Sequence, residues 1–355
     1  MKAIHMKTNF LAVALLLLWN TAAGWADELD VSKKKEINQS FPVSLTDRLK
    51  VENKYGDVTI THWTKNEVDI RVVVEAKANT EAKAQQVLEN IQIELRKSDN
   101  TVYGITSIRN NIGSGRQSYT IHYFISMPSK LPIDLSVRYG GINLPENNEG
   151  KANLELKYGT LSAGNFTQSV IIDAEYSKLS LGNAESLTMD LKYCGSVVAG
   201  NIRTLSLDSQ YSGIKLRDAD QLRIDNAYGG ITIEKVNRIS AETKYGNIQI
   251  GYVNEELQIG TLAYSTLTVD KLNANFKSVH VEATHSTLKL SISPQAAFRI
   301  TAEGMKYGNV DIKGLKITES QTEEKSDRFY RINGGGEKQI YFNGNNYSSL
   351  KINAL

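Results

Sequence analysis

The chain of 355 residues contains a single cysteine, Cys194, and only 5 prolines. One thiol excludes an intramolecular disulfide framework and any multi-cysteine zinc or iron–sulfur site. No charge sign dominates: 41 Lys and Arg against 39 Asp and Glu leave a net +2, too weak a field to draw nucleic acid. Histidine is sparse: of the 5 present, His5 falls in an N-terminal leader, which leaves His62, His122, His280 and His285. Beyond the leader no run is apolar enough to span a bilayer. What is present is a hydrophobic fraction of 41% with 26 glycines, too apolar for a disordered chain and suited to a globular or solenoid fold.

The leader reads as a secretory signal. Lys2 and Lys7 precede the apolar run Phe10 to Trp19, and the small residues Ala22, Ala23, Gly24 and Ala26 come before Asp27 and Glu28. That order is a charged region, a short hydrophobic region and a cleavage site. The run is far short of the ~20 apolar residues that span a membrane. No cysteine stands at the cleavage site, which disfavours a lipid anchor. The expected mature protein is exported and soluble, in the periplasm, on the cell surface or secreted.

Internal periodicity organises the rest. A tyrosine followed by Gly, Ser or Cys recurs at Tyr55, Tyr139, Tyr158, Tyr176, Tyr193, Tyr211, Tyr228, Tyr245, Tyr264, Tyr307 and Tyr347, with His285 in one gap. Between Tyr139 and Tyr264 the spacings are 19, 18, 17, 18, 17, 17 and 19 residues. Aliphatics stand three and five residues beyond the tyrosine, as at Ile231 and Ile233, and four and six before it, as at Leu205 and Leu207. Each run is a half-buried strand. A third inward point, eight residues on, includes Phe166, Ala184, Ala219 and Val236, in a loop that often carries Asn or Gly. The small residue after the tyrosine marks a corner.

One repeat buries too few aliphatics to offset the ~1 to 2 kcal/mol of backbone entropy lost per ordered residue, so repeats must stack. The expected fold is all-β: a single-chain parallel β-helix, or β-solenoid, of about 18 residues per turn. It is expected to be right-handed, because the drift in spacing and the lack of a six-residue subperiod argue against a left-handed hexapeptide helix. Ten turns from Tyr139 to Tyr307 would make a rod on the order of 45 to 50 Å long. The expected organisation is 1–26 signal peptide, 27–76 first turn, 77–130 a small α+β insertion that caps the open edge, 131–317 regular turns, 318–338 a flexible loop and 339–355 a terminal strand. Thr80 is the expected cap of a short helix in the insertion.

The exported leader, the words Tyr55-Gly56-Asp57-Val58-Thr59-Ile60, Trp63 ahead of the strand around Val68, Pro128 before Ile133 to Val137, and the repeated tyrosine–glycine pairs resemble the bacterial putative-adhesin family of cell-envelope β-helical proteins. The resemblance covers nearly all of the mature chain. It implies the β-helical fold and an envelope or secreted location, and brings no catalytic motif.

Three residues before the tyrosine, Glu155, Asp173, Asp190, Asp208, Asp225 and Glu242 occupy consecutive repeats on the parity opposite to the core aliphatics. They should form an outward carboxylate column at the interstrand spacing. Two readings stand. Lys157, Lys192 and Lys244 compensate a solvated face, or the column, through Asp173, Asp190, Asp208 and Asp225 above all, binds Ca²⁺ or a cationic partner. No other cofactor is expected. The tyrosines share the parity of the core aliphatics and are expected in a buried or corner ladder; an exposed ladder would offer a platform for sugar rings. Cys194 fills the small corner slot and reads as inert. His280 and His285 lack a paired acid at a fixed offset, and Arg203, Arg217 and Arg223 occupy different slots. Asn38, Asn165 and Asn346 head glycosylation-type triplets that matter only on a eukaryotic secretory route.

The function expected is a non-catalytic, exported envelope protein, an adhesin, binding protein or scaffold, with a glycan or an envelope or surface protein as partner. The alternative is a β-helical polysaccharide lyase or hydrolase, which would need acids, Arg, Lys or His clustered in a cleft that breaks the repeat. The leader yields a direct check: N-terminal sequencing of the expressed protein should begin at Asp27, and an intact Met1 would exclude processing.

Overall fold

In the computed structural model, which describes residues 31–109, 116–323 and 326–355, the strand ahead of each tyrosine pairs in parallel with its equivalent one repeat later. Ile133–Arg138 lies on Ala152–Lys157, then come Asn165–Glu175, Ala184–Lys192 and Ile202–Gln210. A second parallel ladder follows the tyrosines, through Gly141–Asn143, Thr160–Ser162, Lys178–Ser180 and Ser196–Ala199. From Gly213 on, both ladders run in continuous strands, Gly213–Ala227, Gly230–Lys244 and Asn247–Ala263. The leader at 1–26 lies outside the described residues.

The period-2 pattern decides which side chains face in. Ile231, Ile233, Val236, Leu222 and Ile224 are all buried, and they join one apolar cluster that reaches from Phe41 to Ile352. The aliphatics picked out by spacing therefore are the core. Parallel pairing holds over the repeats and the inserted strands added directly to the first of them. Both ends carry antiparallel sheet, so the fold is all-β with mixed strand orientation.

At the N-terminal end Arg48–Lys54 pairs with Ile133–Arg138 on one side and Thr101–Ile108 on the other. Ile91–Ser98 then closes that edge antiparallel. Gln117–Pro128 adds to Val58–Trp63, and Glu67–Ala78 and Val31–Pro42 follow it antiparallel. The helix Glu81–Glu89 buries Ala84, Val87 and Leu88, and the Thr80 hydroxyl accepts from the Lys83 amide at 3.3 Å, as the cap expected of it. The division at 76 needs correction. Val31–Pro42 and Glu67–Ala78, assigned to a first turn, belong to the antiparallel layer, because Val58–Trp63 offers an edge that only Gln117–Pro128 and its neighbours cover.

The C-terminal end departs further from chain order. Gln339–Asn345 inserts between Ser278–Thr284 and Phe298–Glu303, and Ser349–Ala354 between Thr287–Ile292 and Asn309–Lys313. The repeat of Tyr307 therefore does not lie on that of His285, and the expected ten consecutive repeats are corrected to nine with the chain's last repeat wedged before the tenth. The expected flexible loop 318–338 is also corrected: Ile317–Glu323 and Asp327–Ile332 form an antiparallel hairpin whose second strand pairs with Phe298–Glu303. The first of these strands is exposed throughout, so no alternation of aliphatics marks it in the sequence.

The wedged repeat has a measurable consequence. In a chain ending at Lys338, hydrogen exchange at Thr287–Ile292 should rise together with that at Asn309–Lys313, since each loses the same partner. Unchanged protection at Thr287–Ile292 would refute the insertion.

Candidate functional site

Each repeat tyrosine from Tyr55 to Tyr264 has a left-handed backbone, with φ between 49° and 62°. His285 at 49° and Tyr347 at 59° share it. A left-handed residue breaks the alternation of the strand, so the side chain swings out of the core phase that parity assigns it. Of the expected buried or corner ladder, the buried form is thereby corrected: from Tyr55 to Tyr264 the repeat tyrosines stand at corners and are 39 to 52% exposed. The positive φ, which the small following residue hints at but does not announce, is the signal that counting by two misses.

Successive rings stack. From Tyr55 to Tyr264 neighbouring centroids lie 4.7 to 5.1 Å apart with planes within 3° to 7° of parallel. His285 continues the column at 4.9 Å from Tyr264, followed by Tyr347, and Tyr307 lies 5.2 Å beyond Tyr347. Tyr119 closes the other end edge-on to Tyr55 at 5.2 Å. Each ring covers its neighbours' faces, so the ladder presents ring edges and a row of phenol groups. A sugar platform needs free faces, and this ladder has none along its length.

Behind the rings the corner is closed by Gly, Ser or Cys. A Cβ at Gly140 would stand 2.1 Å from the Gly56 carbonyl oxygen and one at Gly159 2.0 Å from that of Gly140. Where serine stands instead, its hydroxyl joins two repeats: Ser212 donates to the Gln210 carbonyl at 2.9 Å and accepts from the Cys194 amide at 3.0 Å. Ser265 and Ser286 repeat the pattern. Cys194 is buried in this slot and its sulfur faces the Ala174 carbonyl at 3.3 Å. Burial pushes its thiol pKa up, which suits an inert corner residue. A buried chain, Ser209 to Asn226 to Thr243, ties adjacent corners together with bonds of 2.8 and 3.1 Å. Periodicity alone gave no sign of it.

The carboxylate column is real in register. Glu155 faces Asp173, Asp173 faces Asp190, Asp190 faces Asp208, Asp208 faces Asp225, and Asp225 faces Glu242. Compensation is partial. Lys192 lies 3.4 Å from Asp190, but Lys157 pairs with Glu175 at 3.1 Å, and Lys244 makes no ion pair among the described residues. Partial burial, and then the Asp190 carboxylate, push Asp173 and Asp208 above the ordinary aspartate range. Among the described residues no three His, Cys, Asp or Glu side chains converge in a metal-binding group.

The histidines are dispersed. Contrary to the sequence reading, His280 has an acid: its Nε2 lies 3.0 Å from Glu282, and its ring stacks on Tyr341 at 4.7 Å. The Tyr341 hydroxyl donates to Glu303 at 2.8 Å, and burial with that contact pushes its pKa up to about 12. Glu303 and Tyr341 lie on strands that register counting could not bring beside His280, because they reach it through the wedged repeat. His122 accepts from the Asp57 amide at 3.2 Å, and burial lowers the His62 pKa. Arg203 pairs with Glu185, while Arg217 and Arg223 make no ion pair among the described residues.

No family model matches the chain, and no curated protein matches it. Solved structures do resemble it. One is a putative cell adhesion protein of Clostridium sporogenes, 12% identical over 91% of this chain and 100% of that one, with a TM-score of 0.20. Another is a putative adhesin of Bacteroides fragilis, 12% identical over 90% and 97% of the two chains, TM-score 0.26. A third is a putative adhesin of Parabacteroides distasonis, 11% identical over 89% and 97%, TM-score 0.27. These neighbours carry the name of the family that the sequence words resemble. At such identities and scores they carry no argument about this chain's activity.

The column generates a prediction with a definite sign. A carboxyl whose pKa is raised by folding favours the folded state only while protonated, and that contribution is lost as pH rises through the raised value. Asp173→Asn with Asp208→Asn should therefore raise the stability at pH 7, and with it the melting temperature, by less than ~1 kcal/mol, exposed charges being screened. Below the ordinary value of 3.8 the gain should vanish. Melts in Ca²⁺ and NaCl at matched ionic strength should shift alike; a Ca²⁺-specific rise that the double variant loses would make the column a cation site.

Proposed function

We propose that the chain is a non-catalytic, exported protein of the bacterial cell envelope, a right-handed β-solenoid whose tyrosine ladder docks an envelope or surface protein. The observation that carries this reading is the ladder itself. A left-handed non-glycine residue costs ~1 to 2 kcal/mol, and an aromatic pair returns ~0.5 to 1.5 kcal/mol beyond its area. Stacking thus does little more than offset the backbone strain. Asn would tolerate the same backbone at lower cost. Nine consecutive tyrosines with half-exposed rings are therefore more than stability requires, and tyrosine is the side chain that interfaces favour. Edges and hydroxyls suit a protein surface, with its backbone carbonyls and apolar side chains, better than the flat face of a sugar.

The companion expectations support the same picture. The leader sends the chain out of the cytoplasm, and among the described residues no helix is long and apolar enough to cross a membrane. The polysaccharide lyase or hydrolase reading would require a cleft of convergent acids and cations, and the arginines named for it stand apart.

The test combines location with binding. Fractionation with protease treatment of intact cells should place the chain outside the cytoplasm. Purified protein should sediment with envelope vesicles, lose that binding when the vesicles are first stripped with protease, and lose it at least tenfold in Tyr193→Asn/Tyr211→Asn/Tyr228→Asn. A triple variant that sediments as wild type does would overturn the ladder as the docking surface.

A further inference from the structure

Half a repeat along the chain from the tyrosines, a groove of about 590 Å³ runs across five repeats, lined by Asn165, Asn183, Asn201, Asp218 and Lys235 on one wall. The other wall is Thr167, Glu185, Arg203, Asp220 and Asn237. Between the walls run Phe166, Ala184, Ile202 and Ala219, whose side chains are buried in the core and face one another in register from repeat to repeat. The groove is thus about four interstrand steps, roughly 19 Å, in length, and its volume falls within the range of ~300 to 1,000 Å³ typical of ligand sites.

Its chemistry narrows the ligand. Backbone groups at the walls are already used: the Asn183 amide donates to Asn165 Oδ1 at 2.9 Å, the Asn201 amide to Asn183 Oδ1 at 2.8 Å, and the Ala184 amide to the Asn201 carbonyl at 3.0 Å. No strand edge is open there, so a peptide cannot be held by backbone pairing. Glycine makes this arrangement fit, since a Cβ at Gly182 or Gly200 would stand 2.7 Å from the Asn165 or Asn183 Oδ1. With its oxygen so occupied, Asn183 keeps an Nδ2 group that donates to nothing among the described residues, and the Asn201 side-chain amide has no hydrogen bond among them. The Asp218 carboxylate makes no ion pair among them either, and so remains an acceptor.

Charge is balanced, which disfavours a polyanion. Glu185 pairs with Arg203, Asp218 faces Lys235 in register, and Asp220 lies 3.8 Å from Arg238. Alternating donors and acceptors along the two walls of a narrow groove match a chain of neutral pyranoses, whose hydroxyls both donate and accept. A β-linked pyranose in an extended chain advances by close to one interstrand step, so successive sugars would meet successive repeats. We infer that this groove binds an extended, unbranched, neutral β-linked glycan lying along the stacking direction. This site is separate from the tyrosine ladder, and neither reading depends on the other.

Titration calorimetry with cellohexaose, hexa-N-acetylchitohexaose and maltohexaose tests it on the full mature chain. At least one of the two extended β-linked hexamers should bind, and the curved α-linked maltohexaose should bind at least tenfold more weakly. Glu185→Ala/Arg203→Ala should weaken the extended hexamer at least tenfold, as should Thr167→Trp, which fills the groove from an exposed position. Both should melt within a few degrees of wild type, and Lys289→Ala, remote from the groove, should bind unchanged. If neither extended hexamer binds at millimolar concentration, or if both folded groove variants bind as wild type does, the assignment is overturned. Because the ladder is assayed on protein-bearing vesicles and the groove with purified sugars, either can fail alone.

Discussion

Interstrand hydrogen bonding sets a single step, about 4.8 Å, and every column in the molecule is that step repeated. A side chain at a given slot has as its neighbours the same slot in the repeats before and after, at a distance it cannot choose. For aromatic rings this distance is close to optimal, and the tyrosines stack with centroids 4.7 to 5.1 Å apart. For hydroxyls it is bridged through the backbone, as when Ser212 links the Gln210 carbonyl to the Cys194 amide. For carboxylates it is unfavourable: partial burial is what chiefly raises the pKa values of Asp173 and Asp208, and the neighbouring Asp190 carboxylate adds to it. One geometric constraint thus yields an attractive column, a neutral one and a repulsive one on the same scaffold.

The same constraint explains the ends. A ladder of parallel strands exposes unpaired backbone wherever it stops, and such edges recruit other chains. Here the chain leaves sequential order to cover them. Thr101–Ile108 and Gln117–Pro128 extend the first repeat outward, and Ile91–Ser98, Glu67–Ala78 and Val31–Pro42 turn the pairing antiparallel. At the other end the final strands wedge inside, and the hairpin Ile317–Glu323 with Asp327–Ile332 finishes the edge. Antiparallel strands suit a terminus because a short turn suffices to place them, whereas a parallel partner requires a whole further repeat.

What was legible in the sequence follows from this division. Ile231, Ile233 and Leu207 are where the period puts them, and the carboxylates from Glu155 to Glu242 are in line, because both depend only on counting within a regular strand. For Tyr211 and its equivalents parity left a core or a corner place open and did not decide for the exposed corner, since counting presumes an extended backbone and one left-handed residue shifts the phase. The wedged position of Tyr347, and with it the meeting of His280, Tyr341 and Glu303, was not legible at all. Pairing between strands sixty residues apart is decided by which edge is open, and no local pattern encodes that. The hairpin within 318–338 was missed because its first strand is exposed throughout and so lacks the alternation that identifies a strand.

Regularity also limits what such a molecule can recognise. A partner bound to identical rungs can slide by one step at almost no cost, gaining avidity from many weak contacts without a fixed register. Register must come from the rungs that differ. Along the ladder these are His285, which replaces a phenol with an imidazole, and the residue before the tyrosine, which is Lys157, then Glu175, then Lys192. In the groove they are Asp218 and Lys235, which take over the wall from Asn165, Asn183 and Asn201. In both proposed sites the identical rungs would supply affinity, and the departures from the repeat are where specificity would have to reside.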